Sequence, residues 1–400
     1  MITITLPYSK SISNRLLIMH FLSQSKIALN YLSQSDDTIL LQNILQNLSK
    51  EETNHFYTHN AGTTTRFLIA LLSITKGSWQ INADERMNHR PILPLLEALK
   101  ELGSEIETYC ETKIFPLTIK GKDLQGGKTI EILSTQSSQI VSAIAMIAPY
   151  CKGGLKIEYP ETQTSLSYID MTLSMMKNYG IDLERKQNII DIKQGCYKIE
   201  EETFEADWSS ASFFYALVAI SKSHKIFLPQ LKENSLQGDK IIKEIFERSF
   251  GVTTIFTQEG ATIEYNPEIE KQNQQIDFTT CPDLFLPVLI ADVCTDSQIS
   301  YTGLQTLSLK ESDRLNSAIK QTEKLNIKAT IKEDVLSIDK SQIRHNNLPI
   351  LIETYQDHRM AMAFYLLAFR YKGIEIENPN CVSKSFPNYW NEIKKIKNNS

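Results

Sequence analysis

Asn60-Ala61-Gly62-Thr63-Thr64-Thr65-Arg66 runs without a break into Phe67-Leu68-Ile69-Ala70-Leu71-Leu72. Small polar residues suit a helix start, and the run behind them is apolar all round, which marks a buried helix. The same join recurs at Ser9-Lys10-Ser11-Ile12-Ser13-Asn14-Arg15, Ser137-Ser138-Gln139, Asp207-Trp208-Ser209-Ser210, Pro282-Asp283 and Asp357-His358-Arg359. The six starts, at Ser9, Thr63, Ser137, Ser209, Pro282 and Asp357, lie 54, 74, 72, 73 and 75 residues apart. A fixed period of that size signals an internal repeat.

Each repeat holds more than its helix. A short strand is predicted after it, at Lys26–Leu29, Trp79–Ile81, Leu155–Tyr159, Lys225–Leu228, Gln298–Tyr301 and Ile374–Ile376. These segments alternate and favour β-branched and aromatic residues. A second, amphipathic helix closes at Gly103, Gly180, Gly251 or Asn326, residues that tolerate a left-handed turn. Three such units around a common centre would bury the apolar helices, so six units make two α/β domains. At 400 residues the chain exceeds what one hydrophobic core usually supports.

Composition narrows the class. The chain carries 42 basic and 47 acidic residues with no basic stripe, so no nucleic-acid partner is expected. No apolar run reaches the length of a membrane span, and no signal peptide is evident. The six Cys (110, 151, 196, 281, 294, 381) are scattered and read as reduced thiols in a cytoplasmic protein. A phosphate loop, a G-x-G-x-x-G after a strand and an H-E-x-x-H are all missing, and His55 and His59 have no further ligands nearby. No metal or organic cofactor is expected.

Lys10, Arg15, Arg66 and Arg359 sit in or beside helix starts, where a cation opposes the helix dipole. Local stability does not explain them; an anionic ligand does. Ser137 and Ser209 read as ordinary caps, and Asp283 as an N-terminal carboxylate. Lys310-Glu311-Ser312-Asp313-Arg314 reads as a solvated, salt-bridged turn. His358 fits either a buried structural histidine or a catalytic one.

Taken in order, these clusters resemble the 5-enolpyruvylshikimate-3-phosphate synthases. The further pieces are Asp84-Glu85-Arg86-Met87 with Arg90-Pro91, Tyr168–Thr172, Gln237-Gly238-Asp239 and Lys384-Ser385-Phe386-Pro387. The resemblance runs from Leu6 to Trp390. It implies the inside-out α/β barrel of the enolpyruvyl transferases, with two domains of three β/α units each. Residues 1–9 plus 207–400 would form one domain and 10–206 the other, with the active site in the cleft between them.

The implied reaction moves the enolpyruvyl group of phosphoenolpyruvate to the 5-hydroxyl of shikimate 3-phosphate and releases phosphate. By resemblance, Lys10, Ser11, Arg15, Ser137, Ser138, Gln139, Ser165, Asp283 and Lys310 contact shikimate 3-phosphate. Lys10, Asn60, Gly62, Arg90, Gln139, Arg314, Arg359 and Lys384 contact phosphoenolpyruvate. Asp283 is the implied base, and Glu311, with Lys10, the implied acid. Partners are small molecules only, and a cytoplasmic monomer is expected.

The chain departs from the family pattern at Tyr8, at Leu166-Ser167, at Thr306 and at Phe67, and the short N-terminus puts a first strand in question. The nearest rival is the sister enzyme acting on UDP-N-acetylglucosamine, which carries a loop Cys that Met87–Leu95 lacks. A second rival is a non-catalytic anion-binding relative; Asp283 and Glu311 would be superfluous in it.

Overall fold

The computed structural model describes residues 1–109, 113–133, 137–343 and 349–398. The chain forms two compact units, Lys10–Phe204 and Glu205–Ser400, the latter including Met1–Ser9.

In the Lys10–Phe204 unit, the helices Gly62–Ile74 and Ser138–Ile147 are almost wholly buried, and Lys10–Ser23 is buried from Ile12 to Met19. Phe67, Leu68, Ile69, Ala70 and Leu71 have no exposed surface. Burying the Phe, Leu and Ile side chains contributes roughly 1.5–3 kcal/mol each. The amphipathic helices Asp36–Ser49, Leu93–Glu101 and Leu166–Asn178 lie outside them. Two four-stranded sheets complete the unit. One runs His55–Tyr57, Gly77–Asn82, Leu117–Gly121, Glu105–Thr108; the other runs Thr129–Glu131, Leu155–Glu158, Ile189–Ile192, Leu183–Lys186. Each joins a parallel pair to an antiparallel hairpin, with His55 opposite Gln80 in the first.

The first repeat differs. The predicted strand at Lys26–Leu29 does not form. In the other units of this type a hairpin follows the amphipathic helix, but here only residues 50–54 separate Ser49 from the strand at His55. Without a hairpin, the segment at 26–29 has no ladder to join. That deletion is the origin of the short first spacing of 54. Side chains hold this stretch instead: His20 Nε2 lies 3.0 Å from the Ile27 carbonyl, and just beyond it Glu202 accepts from the Asn30 and Tyr31 amides at 2.7 Å and Tyr31 stacks on Phe204 at 4.2 Å.

In the second unit the buried helices are Trp208–Ser221, Phe285–Cys294 and His358–Tyr365. Its sheets repeat the pattern, one around Lys225–Pro229 and one around Ile299–Thr302. A two-stranded parallel pair, Ile350–Ile352 with Ile374–Ile376, serves the last repeat. The first strand is present: Ile2–Thr3 pairs in parallel with the 225–229 strand, Ile2 opposite Ile226. Gly251 closes the Ile242–Phe250 helix at φ +70°, and Asn326 takes φ +65° after the Arg314–Glu323 helix. Both are the left-handed closures expected of those residue types.

Candidate active site

Hydrogen bonds tie the helix starts of the Lys10–Phe204 unit to one another. Lys10 Nζ donates to Asp37 Oδ2 at 3.1 Å, and Thr64 Oγ1 donates to the Asp37 carbonyl at 3.0 Å. Arg66 Nη1 donates to Gln139 Oε1 at 2.7 Å. Arg15 Nε donates to Thr172 Oγ1 at 2.7 Å, and its Nη2 to Ser142 Oγ at 3.3 Å and the Tyr168 carbonyl at 3.1 Å. Five helix starts therefore lie at one end of the unit, and their unpaired N–H groups and dipoles favour an anion there.

Ser11 shares this end; its carbonyl accepts from Arg15 Nη1 at 2.9 Å. Ser137 and Ser138 open the Ser138–Ile147 helix, and Ser165 opens Leu166–Asn178 from a left-handed backbone at φ +57°. Arg90 Nη1 donates to the Asn60 carbonyl at 3.3 Å and to Asn60 Oδ1 at 3.4 Å. Gly62 is set by Arg90: a Cβ at 62 would sit 2.6 Å from Arg90 Nη2 and 2.7 Å from its Cζ.

Arg15 is 2 % exposed. Burial lowers its pKa to about 10, which still leaves it charged at neutral pH. No carboxylate pairs with it among the described residues. Phe67, one of the departures from the family pattern, lies beneath it, with Arg15 Cζ 5.4 Å from the ring centroid. A buried cation without an anion is costly, and a bound anion would offset that cost.

The second unit holds a carboxylate–cation cluster. Arg314, 1 % exposed, opens the Arg314–Glu323 helix and contacts three carboxylates. Its Nη1 lies 2.9 Å from Asp283 Oδ1, its Nη2 3.0 Å from Glu311 Oε2 and its Nε 3.0 Å from Asp357 Oδ2. Arg359 Nη2 lies 3.0 Å from Asp283 Oδ2, and Lys310 Nζ 3.6 Å from Asp283 Oδ1. Three carboxylates thus face three cations. Lys384 ends the turn Pro379–Lys384, which packs on the His358–Tyr365 helix.

The reading of Lys310–Arg314 as a solvated surface turn is corrected by this burial. A charge run looks solvated in sequence because its counter-charges, Asp283 and Asp357, lie 31 and 43 residues from Arg314. Burial raises the Asp283 carboxyl, but Arg359, Lys310 and Arg314 outweigh it and hold it well below the usual carboxylate range. Burial lowers Lys310. For Arg314 the same penalty is outweighed by Asp357, Asp283 and Glu311, which raise it above its ordinary value.

Three contributors had no site role legible in the sequence, although Asp239 and Asp357 lie within its polar clusters. Asp37 holds Lys10, yet Asp36-Asp37 reads only as a helix-start pair. Asp357 caps the His358–Tyr365 helix, accepting from the Arg359 amide at 2.9 Å, while anchoring Arg314. Asp239 is buried, accepts from Ser209 Oγ, and leaves Oδ1 without a hydrogen-bond partner among the described residues. Burial, and then the charge of Asp283, push it up to about 7. Ser209 is thus more than a helix-start residue; the cap is Asp207, which accepts from the Ser210 amide at 3.2 Å. His358 is buried, with Nδ1 3.8 Å from Asp357 Oδ1. Thr306 is buried too, and its Oγ1 has no hydrogen-bond partner among the described residues.

Among the described residues no group of three or more His, Cys, Asp or Glu side chains could hold a metal ion, and no helix is long and apolar enough to cross a membrane. Cys151, Cys196, Cys281, Cys294 and Cys381 are free thiols; Cys110 lies outside the described residues.

The fold is that of the enolpyruvyl transferases. An EPSP synthase from Acinetobacter baumannii matches it with a TM-score of 0.79 at 23% identity, covering 98% of this chain and 95% of that one. The enolpyruvyl transferase NikO from Streptomyces tendae matches with a TM-score of 0.73 at 11% identity, covering 98% and 94%. Sequence narrows the class. The chain belongs to the EPSP synthase (3-phosphoshikimate 1-carboxyvinyltransferase) family, whose model matches residues 46–393. A 3-phosphoshikimate 1-carboxyvinyltransferase of Bacteroides fragilis (strain YCH46) is 39% identical over 396 residues, 98% of this chain and 94% of the relative. One from Photobacterium damsela subsp. piscicida is 32% identical over 426 aligned positions, covering 98% and 96%. The chain is therefore a transferase of the enolpyruvyl group in the shikimate pathway.

Proposed function

We propose that the chain joins phosphoenolpyruvate to shikimate 3-phosphate by addition and elimination, with Asp283 as base and Glu311 as acid. The acceptor's 5-hydroxyl oxygen attacks C2 of phosphoenolpyruvate, and its proton passes to Asp283. Glu311 protonates the C3 methylene, which becomes a methyl group. The methyl group then returns a proton to Glu311, the C2–O bond to phosphate breaks, the double bond re-forms, and the leaving phosphate takes the proton held by Asp283. The observation that carries this reading is Arg314, whose one guanidinium holds both carboxylates at 2.9 and 3.0 Å.

Two carboxyl groups with opposite duties need different environments. Asp283 has three cations about it, which keeps it ionised and ready to accept a proton, but also makes it a weak base. Arg314 and Arg359 are also the groups we assign to phosphoenolpyruvate, together with Lys384, Arg90, Lys10, Asn60, Gly62 and Gln139. Once the substrate's carboxylate and phosphate share those guanidinium groups, their hold on Asp283 weakens and its basicity rises. Ser11, Arg15, Ser137, Ser138, Gln139, Ser165 and Lys310 are assigned to shikimate 3-phosphate. Its charge would supply the anion that buried Arg15 lacks.

The residues assigned to the reaction are drawn from both compact units. We propose a cytoplasmic monomer, supported by the scattered free thiols and small-molecule chemistry. Sedimentation at working concentration tests the oligomeric state. The reaction is tested by phosphate release with shikimate 3-phosphate and UDP-N-acetylglucosamine offered separately. Release with the first alone, unchanged by a chelator, supports the reading; release with the second, or loss restored by a divalent ion, refutes it.

A further inference from the structure

Arg66 places a cation in the first turns of the Gly62–Ile74 helix, against the helix dipole. It is 2 % exposed and points inward. Its Nε and Nη2 donate to the Pro91 carbonyl at 2.9 and 2.7 Å. Its Nη1 donates to the Gly62 carbonyl at 3.1 Å and to Gln139 Oε1 at 2.7 Å. One side chain thus joins the start of the Gly62–Ile74 helix, the residue after Arg90 and the start of the Ser138–Ile147 helix.

The contact with Gln139 has a chemical consequence. A guanidinium only donates hydrogen bonds. The Gln139 carboxamide must therefore present its oxygen to Arg66, which turns its NH2 group away. That Nε2 has no hydrogen-bond partner among the described residues, and Gln139 is only half-buried. A carboxamide left to itself flips readily, and the flipped form would offer a carbonyl oxygen to a negatively charged ligand. Arg66 makes that state unfavourable, because it would set NH2 against a guanidinium.

We propose that Arg66 is a positioning residue: it locks the Gln139 carboxamide with its NH2 group toward the anionic substrates, and through Pro91 and Gly62 holds the Arg90–Gly62 pair in register with it. The inference rests on the assignment of Gln139 to substrate. It gives a buried arginine a role in binding without contact with either substrate.

The test is steady-state phosphate release and thermal unfolding of the full chain carrying Gln139→Ala, Arg66→Gln, both together, or Gln139→Glu. Each single change to Ala or Gln should raise a substrate KM about tenfold, the loss of a hydrogen bond to a charged group, with kcat changed far less. The double variant should be no worse than the poorer single one, because Arg66 acts through Gln139. Singles that multiply to about a hundredfold, or Arg66→Gln lowering Tm with KM unchanged, would overturn the inference. KM unmoved by Gln139→Ala would instead refute the substrate assignment beneath it, and the inference with it. If Arg66→Gln does not fold, Gln139→Glu decides. Its carboxylate should pair with Arg66, keeping or raising Tm, while KM rises at least tenfold because the donor is gone. A Tm lowered to that of Gln139→Ala, or an unchanged KM, would overturn the inference.

Discussion

Replacing Asp357 by alanine is expected to damage the protein twice. Asp357 has no exposed surface. It accepts from Arg314 Nε at 3.0 Å and Nη2 at 3.4 Å, from Ser312 Oγ at 3.1 Å and from the Arg359 amide at 2.9 Å. Its loss changes three carboxylates against three cations into two against three. Removing one partner of a buried ion pair costs about 3–5 kcal/mol, and losing the helix cap about 1 kcal/mol more. The total, roughly 4–6 kcal/mol, is a large part of a domain's stability and corresponds to a Tm lowered by about 8–24 °C. Asp357→Asn keeps an oxygen for the Arg359 amide, so it should recover about 1 kcal/mol of that loss. Arg314, released from Asp357, would press harder on Asp283 and Glu311, so kcat should fall in both variants. Thermal unfolding with and without added phosphate measures the first effect, and phosphate release the second. Added phosphate should restore part of the lost Tm only if it binds the folded chain's exposed cations. A Tm lowered by less than about 2 °C in Asp357→Ala would refute the reasoning, since it would mean that Arg314 does not depend on this partner.

The remaining predictions concern single positions. Asp239, raised to about 7, keeps its proton on folding while the unfolded chain releases it near 4, so this residue should remove stability as pH rises from about 4 to 7 and no more above that. Asp239→Asn should therefore raise Tm at pH 8 and leave it near wild type at pH 4; parallel Tm–pH curves would refute this. Gly62→Ala should displace the Arg90 guanidinium, because the new methyl group would lie 2.6 Å from Nη2. It should raise KM for phosphoenolpyruvate about tenfold with little loss of Tm, and unchanged KM would show that Arg90 is not a substrate contact. Asp37→Ala should loosen Lys10 and lower kcat/KM on the order of tenfold, the value of a charge-assisted hydrogen bond; an unchanged kcat/KM would mean that Lys10 holds its place unaided.

Local chemistry was the most legible layer of this sequence. Helix starts and left-handed helix ends depend on residues within a turn of one another, so Gly251 and Asn326 could be placed from sequence alone and the helix starts to within about two residues. The repeat was legible for the same reason, and even the spacing of 54 recorded the hairpin missing from the first unit, although its meaning emerged only from the absent strand at 26–29. Long-range pairing was not legible. Lys10 meets Asp37 across 27 residues and Arg314 meets Asp357 across 43, and no local pattern joins them. Side-chain direction was equally hidden. Arg66 and Arg359 both sit at helix starts, yet Arg66 turns inward to carbonyl oxygens while Arg359 reaches Asp283. The direction follows from what packs around each helix, which a single stretch of sequence does not contain.

Asp283→Asn provides the most direct test of the account. The substitution removes the base but keeps one acceptor oxygen and nearly the same shape. Turnover should fall by roughly 10²–10⁴-fold, the usual contribution of a general base. Binding of phosphoenolpyruvate in the presence of shikimate 3-phosphate, followed by calorimetry, should persist or tighten, because Arg314, Arg359 and Lys310 lose an internal competitor for the ligand. Turnover within a few-fold of wild type, or loss of binding together with turnover, would contradict the assignment of Asp283 as the base.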